Sequence, residues 1–99
     1  MLTPFHQRRI EVEIKKEVSK IVGQELRDPR IGFITISRVS VTQNLHSAKV
    51  YITVFDSKKN NSTLFGLNNA KKHIRWLLAK RLRIRSVPEL HFYIETSQF

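Results

Sequence analysis

The chain has 99 residues, 40% of them hydrophobic, and sets 18 Lys and Arg against 8 Asp and Glu for a formal net charge of +10. That length predicts one domain over residues 1–99, with a small core, because a domain of this size buries only roughly 60–68% of the surface its unfolded chain exposes. The absence of cysteine excludes a disulfide framework, a thiolate metal site and a cysteine nucleophile. No apolar run reaches the length of a signal h-region or a membrane span, so a soluble, cytoplasmic protein is expected. His6, His46, His73 and His91 lack the spacing of metal ligands, and neither a metal nor another cofactor is expected.

Thr3-Pro4 joins an N-cap to a first-turn proline, and Ile10, Ile14, Val18, Ile21 and Val22 follow at helical spacing. They predict one helix from about Pro4 to Gln24. Its apolar groups span an arc of about 120°, with Arg9, Lys16 and Lys20 on the opposite side. Glu13 lies near Arg9 and Lys16, so part of this charge is an ordinary solvated exterior. Asp28-Pro29 ends the helical region, because the residue before proline is pushed out of the α basin. Ile34-Thr35-Ile36 then alternates in one phase and Val39-Ser40-Val41 in the other, which predicts a bulge between Ser37 and Arg38. After a turn at Gln43-Asn44-Leu45-His46, the apolar residues Ala48, Val50, Ile52 and Val54 alternate with Lys49, Tyr51, Thr53 and Phe55. This second strand is expected to form a hairpin with the first.

A further helix is predicted from about Thr63 to Leu82, N-capped by Ser62, on the stripe Leu64, Leu67, Ala70, Ile74, Leu77, Leu78 and Leu82. On a straight wheel the opposite face reads Phe65, Asn69, Lys72, Trp76, Lys80 and Arg83. Arg81 would fall inside the apolar arc, so the helix must be kinked or finished by then. Val87-Pro88 closes the connection. Leu90, Phe92 and Ile94, alternating with His91, Tyr93 and Glu95, predict a last strand. The order is helix, strand, strand, helix (whole or broken in two), strand.

Between Ser57 and Pro88 the chain holds nine Lys and Arg and no acid. Seven of them, Lys71, Lys72, Arg75, Lys80, Arg81, Arg83 and Arg85, fall within fifteen residues on a segment with its own apolar stripe. Such a rigid cationic surface suits a polyanion, and these residues are candidates for RNA phosphate contacts, joined by Arg9, Lys16 and Lys20. Five or six neutralised phosphates would make log K fall against log salt with a slope of roughly −3.5 to −5. Trp76 either stacks on an unpaired base or is rotated into the core by a kink. The alternative for Arg30, Arg85 and Glu89 is a structural cluster with Asp28 where the helix ends meet the last strand; a structural role is favoured for Arg30 and phosphate contact for Arg85, whose planar guanidinium suits either. Tyr51, Phe55 and Tyr93 lie opposite the core side of their strands. A nuclease would need clustered acids, and these eight carboxylates are scattered.

The order αββααβ, an α+β arrangement with a three-stranded sheet and helices on one face, is how a type II KH domain is built. More specific are Asp28-Pro29-Arg30-Ile31, Val39 and Val41, the run from Leu45 to Tyr51, Ile74-Arg75, and the run from Leu82 to Phe92 with its Arg-x-Val-Pro-Glu-Leu-x-Phe ending. In this order and spacing, from about Arg8 to Ser97, the chain resembles bacterial ribosome-binding factor A. The resemblance implies a monomeric, cytoplasmic assembly factor that binds the free 30S subunit and 16S rRNA during late maturation and 5′-end processing, without catalysis. It also implies an association with growth in the cold. One departure stands out: many members carry Ala-x-Gly where two C-terminal helices meet, and here the triplet is Ala70-Lys71-Lys72. A lysine resists positive φ, so any kink is expected to be gentler or displaced. The rival readings are an RNA-processing nuclease, a peripheral membrane binder using a basic amphipathic helix, and a permanent ribosomal protein.

Overall fold

The computed structural model describes residues 3–95. Helix α1 (Pro4–Lys20) starts as its sequence dictates: Thr3 is extended, and its hydroxyl accepts the His6 backbone N–H at 3.2 Å, with Pro4 in the first turn. The expected continuation to Gln24 takes another form. Ile21–Glu25 widens into a π-helical turn, closed by the Leu26 N–H donating to the Ile21 carbonyl at 2.9 Å. Ile21 and Val22, the last members of the apolar stripe, are both buried at the start of this turn.

Strand β1 (Ile34–Val41) pairs antiparallel with β2 (Ser47–Val54), and its register shifts between Ile36 and Arg38. The bulge therefore falls where the apolar phase changes, and Ile36, Val39 and Val41 are all buried on one side of the sheet. In the hairpin turn Leu45 sits at φ 61°, a left-handed conformation that costs a residue with a Cβ roughly 1–2 kcal/mol. Its side chain packs against the core, which offsets that strain.

Strand β3 (Glu89–Ile94) pairs parallel with β2, giving the sheet order β1-β2-β3. Parallel neighbours require a long crossover, and helix α2 (Asn60–Arg81) supplies it. The α1 helix lies over β1 and α2 over β3, and they touch each other. Ile14, Val18 and Ile21 meet Leu67, Ile74 and Leu78 above Val50, Ile52 and Leu90 in one core. This is the expected α+β architecture, a three-stranded sheet with helices on one face.

Two details of α2 correct the sequence reading. Ser62 is not the N-cap; it lies inside the helix, and its hydroxyl donates to the Lys59 carbonyl at 3.2 Å. The start is set instead by a 3-10 turn, Ser57–Lys59, where the Asp56 carboxylate accepts the Lys58 N–H at 3.1 Å. An acid at that point also complements the positive helix end. Secondly, α2 is unbroken through Ala70-Lys71-Lys72, so this chain reads αββαβ where αββααβ was expected. With lysine in place of glycine nothing favours leaving the α basin, and the buried stripe Leu67, Ile74, Leu78 runs straight through. The helix finishes at Arg81, and Leu82 is extended.

The loop before β1 is fastened to α2. Thr63 is fully buried, and its Oγ1 accepts the Gly32 N–H at 3.2 Å. One turn on, a Cβ at Gly66 would stand 2.7 Å from Ile31 Cγ1, so glycine is what allows helix and loop to approach. Thr63→Val would leave the Gly32 N–H without a partner, and urea unfolding should show a loss of about 1–3 kcal/mol. Among the described residues no helix is long and apolar enough to cross a membrane.

Candidate nucleic-acid interface

Because both helices cover the same side of the sheet, the residues opposite their buried stripes form an outer helical layer. In α1 these are Arg9, Lys16 and Lys20; in α2 they are Lys72, Trp76 and Lys80; all are open to solvent, Trp76 being 54% exposed. An unkinked α2 settles the alternatives for Trp76 in favour of the outward one. The Lys80 ammonium lies 3.8 Å from its ring centroid, and the His73 ring stacks on it at 5.9 Å and 19°. His73 was not singled out from sequence, although its spacing of three from Trp76 on a helix is the signal that would have found it.

The other candidates divide into free and engaged. Arg83 and Arg85 are exposed on the connection to β3, and Arg83 lines a groove with Arg9, His6 and Glu13, so residues from both ends of the chain meet there. Lys71 is half-buried. Arg81, which falls toward α1 at the end of α2, hydrogen-bonds Glu25 and lies 3.9 Å from Glu17. The hydrogen bond to Arg81 also holds the Glu25 carboxyl below the usual carboxylate range. Arg75, next to buried Ile74, turns toward the connection, where Nη2 donates to the Val87 carbonyl at 2.9 Å and Nε is buried without an acceptor. Both arginines are thus committed to internal contacts. Lys20 is only loosely held, with Glu17 at 3.9 Å.

The alternative cluster of Asp28, Arg30, Arg85 and Glu89 is realised only in its first two members, and the structural role favoured for Arg30 is the one seen. Asp28 accepts the Arg30 backbone N–H at 2.9 Å and its guanidinium Nη2 at 2.6 Å, while the same guanidinium covers the Phe65 ring at 4.9 Å. Glu89 cannot join them. Its N–H donates to the His46 carbonyl beside the hairpin turn, whereas Asp28 lies before the opposite end of β1. The Arg30 side-chain hydrogen bond holds the Asp28 carboxyl down at about 2, from an ordinary 3.8. A depressed carboxylate pKa adds stability that is complete above pH ~4 and lost as the pH falls toward ~2. The stability difference between the wild type and Asp28→Asn should therefore close over that window, and the Asp28 carboxyl carbon should titrate near its lower edge by NMR.

The acids mostly serve the fold. The Glu11 carboxylate accepts the Val41 N–H at 2.9 Å, Glu17 and Glu25 face Arg81, Asp56 caps a turn, and Glu95 pairs with Arg38 at 3.1 Å. Among the described residues no group of three or more His, Asp or Glu is placed to hold a metal ion. The outward set is dominated by cations around one indole ring, with exposed Glu13 among them in the groove of Arg9 and Arg83, and such a set can grip phosphates and stack on a planar group.

Fold and surface together define a small α+β domain with a cationic helical layer over one face of a three-stranded sheet. Comparison with known proteins sharpens this: residues 6–98 match the sequence model of ribosome-binding factor A. A ribosome-binding factor A from Alkalilimnicola ehrlichii is 41% identical over 92 residues, covering 91% of this chain and 71% of that protein. The crystal structure of ribosome-binding factor A from Thermus thermophilus superposes with a TM-score of 0.81 at 26% identity, over 89% of this chain and 93% of that one. A homology model of the Thermus thermophilus factor, fitted into the cryo-EM map of its complex with the 30S subunit, gives 0.74 at 27% identity over 86% and 90%. The chain belongs to the ribosome-binding factor A family.

Proposed function

We propose that this protein is a non-catalytic assembly factor that binds the free 30S subunit through 16S rRNA during late maturation, as the 5′ end is processed. The observation that carries this reading is the outer helical layer, where cations of both helices face solvent while Glu17 and Glu25 are drawn into pairs with Arg81. The Thermus thermophilus relative fitted into the map of a 30S complex supports the partner. Arg9, Lys16, Lys20, Lys72, Lys80 and Arg83 contact backbone phosphates, with Lys71 and Arg85 at the margin, and Trp76 stacks on an exposed base or ribose. Arg75 and Arg81 hold the layer in shape instead of touching RNA. The protein acts as a cytoplasmic monomer, with residues 1–99 as one binding domain. Six phosphate contacts predict a salt slope of roughly −4 to −5.5 in a plot of log K against log salt.

The test is gradient fractionation of a cell extract. Association with free small subunits and absence from whole ribosomes is the expected result, whereas one copy per translating ribosome would make it a permanent ribosomal protein. Incubation of the purified protein with precursor rRNA and Mg²⁺ tests the non-catalytic part. Cleavage that disappears on mutating one carboxylate would overturn it.

A further inference from the structure

The sheet face turned away from both helices carries a row of side chains that the helical layer does not use. Arg38 pairs with Tyr51 and Tyr51 with Tyr93, so one row crosses all three strands. The Arg38 guanidinium lies 3.8 Å from the Tyr51 ring centroid, and the Tyr51 and Tyr93 rings stack at 5.6 Å and 28°. Tyr51, on the middle strand, is covered on both sides. Tyr93 ends the stack on the outer strand β3 and is 44% exposed.

The bulge makes this row. Strict alternation from buried Ile36 would point Arg38 into the core, and the extra residue at Ser37 re-aims it onto the open face. Arg38 is then pinned by Glu95 at 3.1 Å. The adjoining row, Ser40, Lys49 and His91, adds an exposed lysine and an imidazole. Thr35, Ser37 and Thr53 complete the central surface, with the Ser37 and Thr53 hydroxyls 3.2 Å apart. Of the acids on this side, Glu95 is held by Arg38, and Glu89 stands at the far end of β3.

We propose that this face is a second RNA site, taking an unpaired nucleotide whose base continues the Arg38-Tyr51-Tyr93 stack and whose flanking phosphates meet Lys49 and His91. A planar π surface beside cations matches a base and its backbone, and a duplex offers no free base face to it. Hydroxyl side chains border the rings, and exposed Phe55, just past the end of β2, offers a further planar surface on which a neighbouring base can stack. The proposal goes beyond the helical-layer reading and stands or fails separately from it.

The experiment is an NMR titration of the full chain with a short single-stranded oligouridylate and with an RNA duplex. Amide shifts along β2 and β3 on adding the single strand, together with a Kd weakened about tenfold or more in Tyr93→Ala and restored in Tyr93→Trp, are expected. The exposed position of Tyr93 should leave the melting temperature of either variant close to that of the wild type. Unchanged affinity in Tyr93→Ala, shifts confined to α1 and α2, or equal perturbation of the sheet by the duplex would each overturn it. Cross-linking of Tyr93 in 30S precursor particles only to protein would also overturn it, assigning the face to a protein partner.

Discussion

The double variant Lys72→Glu, Lys80→Glu should bind 30S precursor particles about 100-fold more weakly than the wild type, or worse, and show a salt slope shallower by about two. Each reversal removes a phosphate contact, releases one counterion fewer and adds repulsion from the RNA backbone. Both side chains point away from the sheet, so the melting temperature should change by only a few degrees. The matched control is Lys58→Glu, Lys59→Glu, which changes net charge equally at the start of α2, outside the outward row. If both variants weaken binding alike, net charge explains the affinity, and the proposed geometry of the layer is wrong. Lys80 also contacts the Trp76 ring, so its reversal disturbs the stacking element as well.

The largest effect on stability belongs to the other face of the same helix. Leu78 is fully buried between α2, α1 and the sheet, two residues before exposed Lys80. Leu78→Ala should lower stability by about 2–5 kcal/mol through lost burial and the cavity left behind. A domain of this size has only roughly 5–15 kcal/mol in total. At about 4–8 °C per kcal/mol, calorimetry should record a fall in melting temperature of about 8–40 °C. RNA affinity measured below that temperature should be nearly unchanged. A variant that keeps its melting temperature would place Leu78 outside the core and contradict the packing of α2.

Much of the fold was legible because its signals are local. Thr3-Pro4 marks a helix start through capping and proline geometry alone, and the phase change around Ser37-Arg38 marks a bulge because side-chain alternation has a period of two. The start of α2 was misread for the same reason. Ser62 looked like a cap by type, yet Asp56 had already organised the backbone several residues earlier. The missing glycine at position 72 was visible, and its consequence, an unbroken helix, needed the continuous buried stripe to confirm it.

The candidate site was legible as a region and not residue by residue. Helical spacing placed Lys72, Trp76 and Lys80 together, as the structure does, because periodicity carries which residues share a face. The division of the arginines did not appear. Arg75 and Arg81 have the same composition and neighbourhood as Arg83, and only the approach of Val87, Glu17 and Glu25 shows that they are engaged. Strand alternation did place Tyr51 and Tyr93 on the open side of the sheet, but their direct stacking and the arrival of Arg38 beside them depend on strand register and the bulge, which the sequence does not spell out.

The order of helices and strands, their amphipathic faces, the excess of cations and the family could be read from the chain directly, because each depends on neighbouring residues or on residue identity. Tertiary structure alone decided which cations remain free, that Trp76 faces solvent, and that an aromatic row ends open at Tyr93. Those outcomes depend on which distant groups fill the space around a side chain, and a carboxylate or carbonyl brought there by folding leaves no local trace in the order of residues.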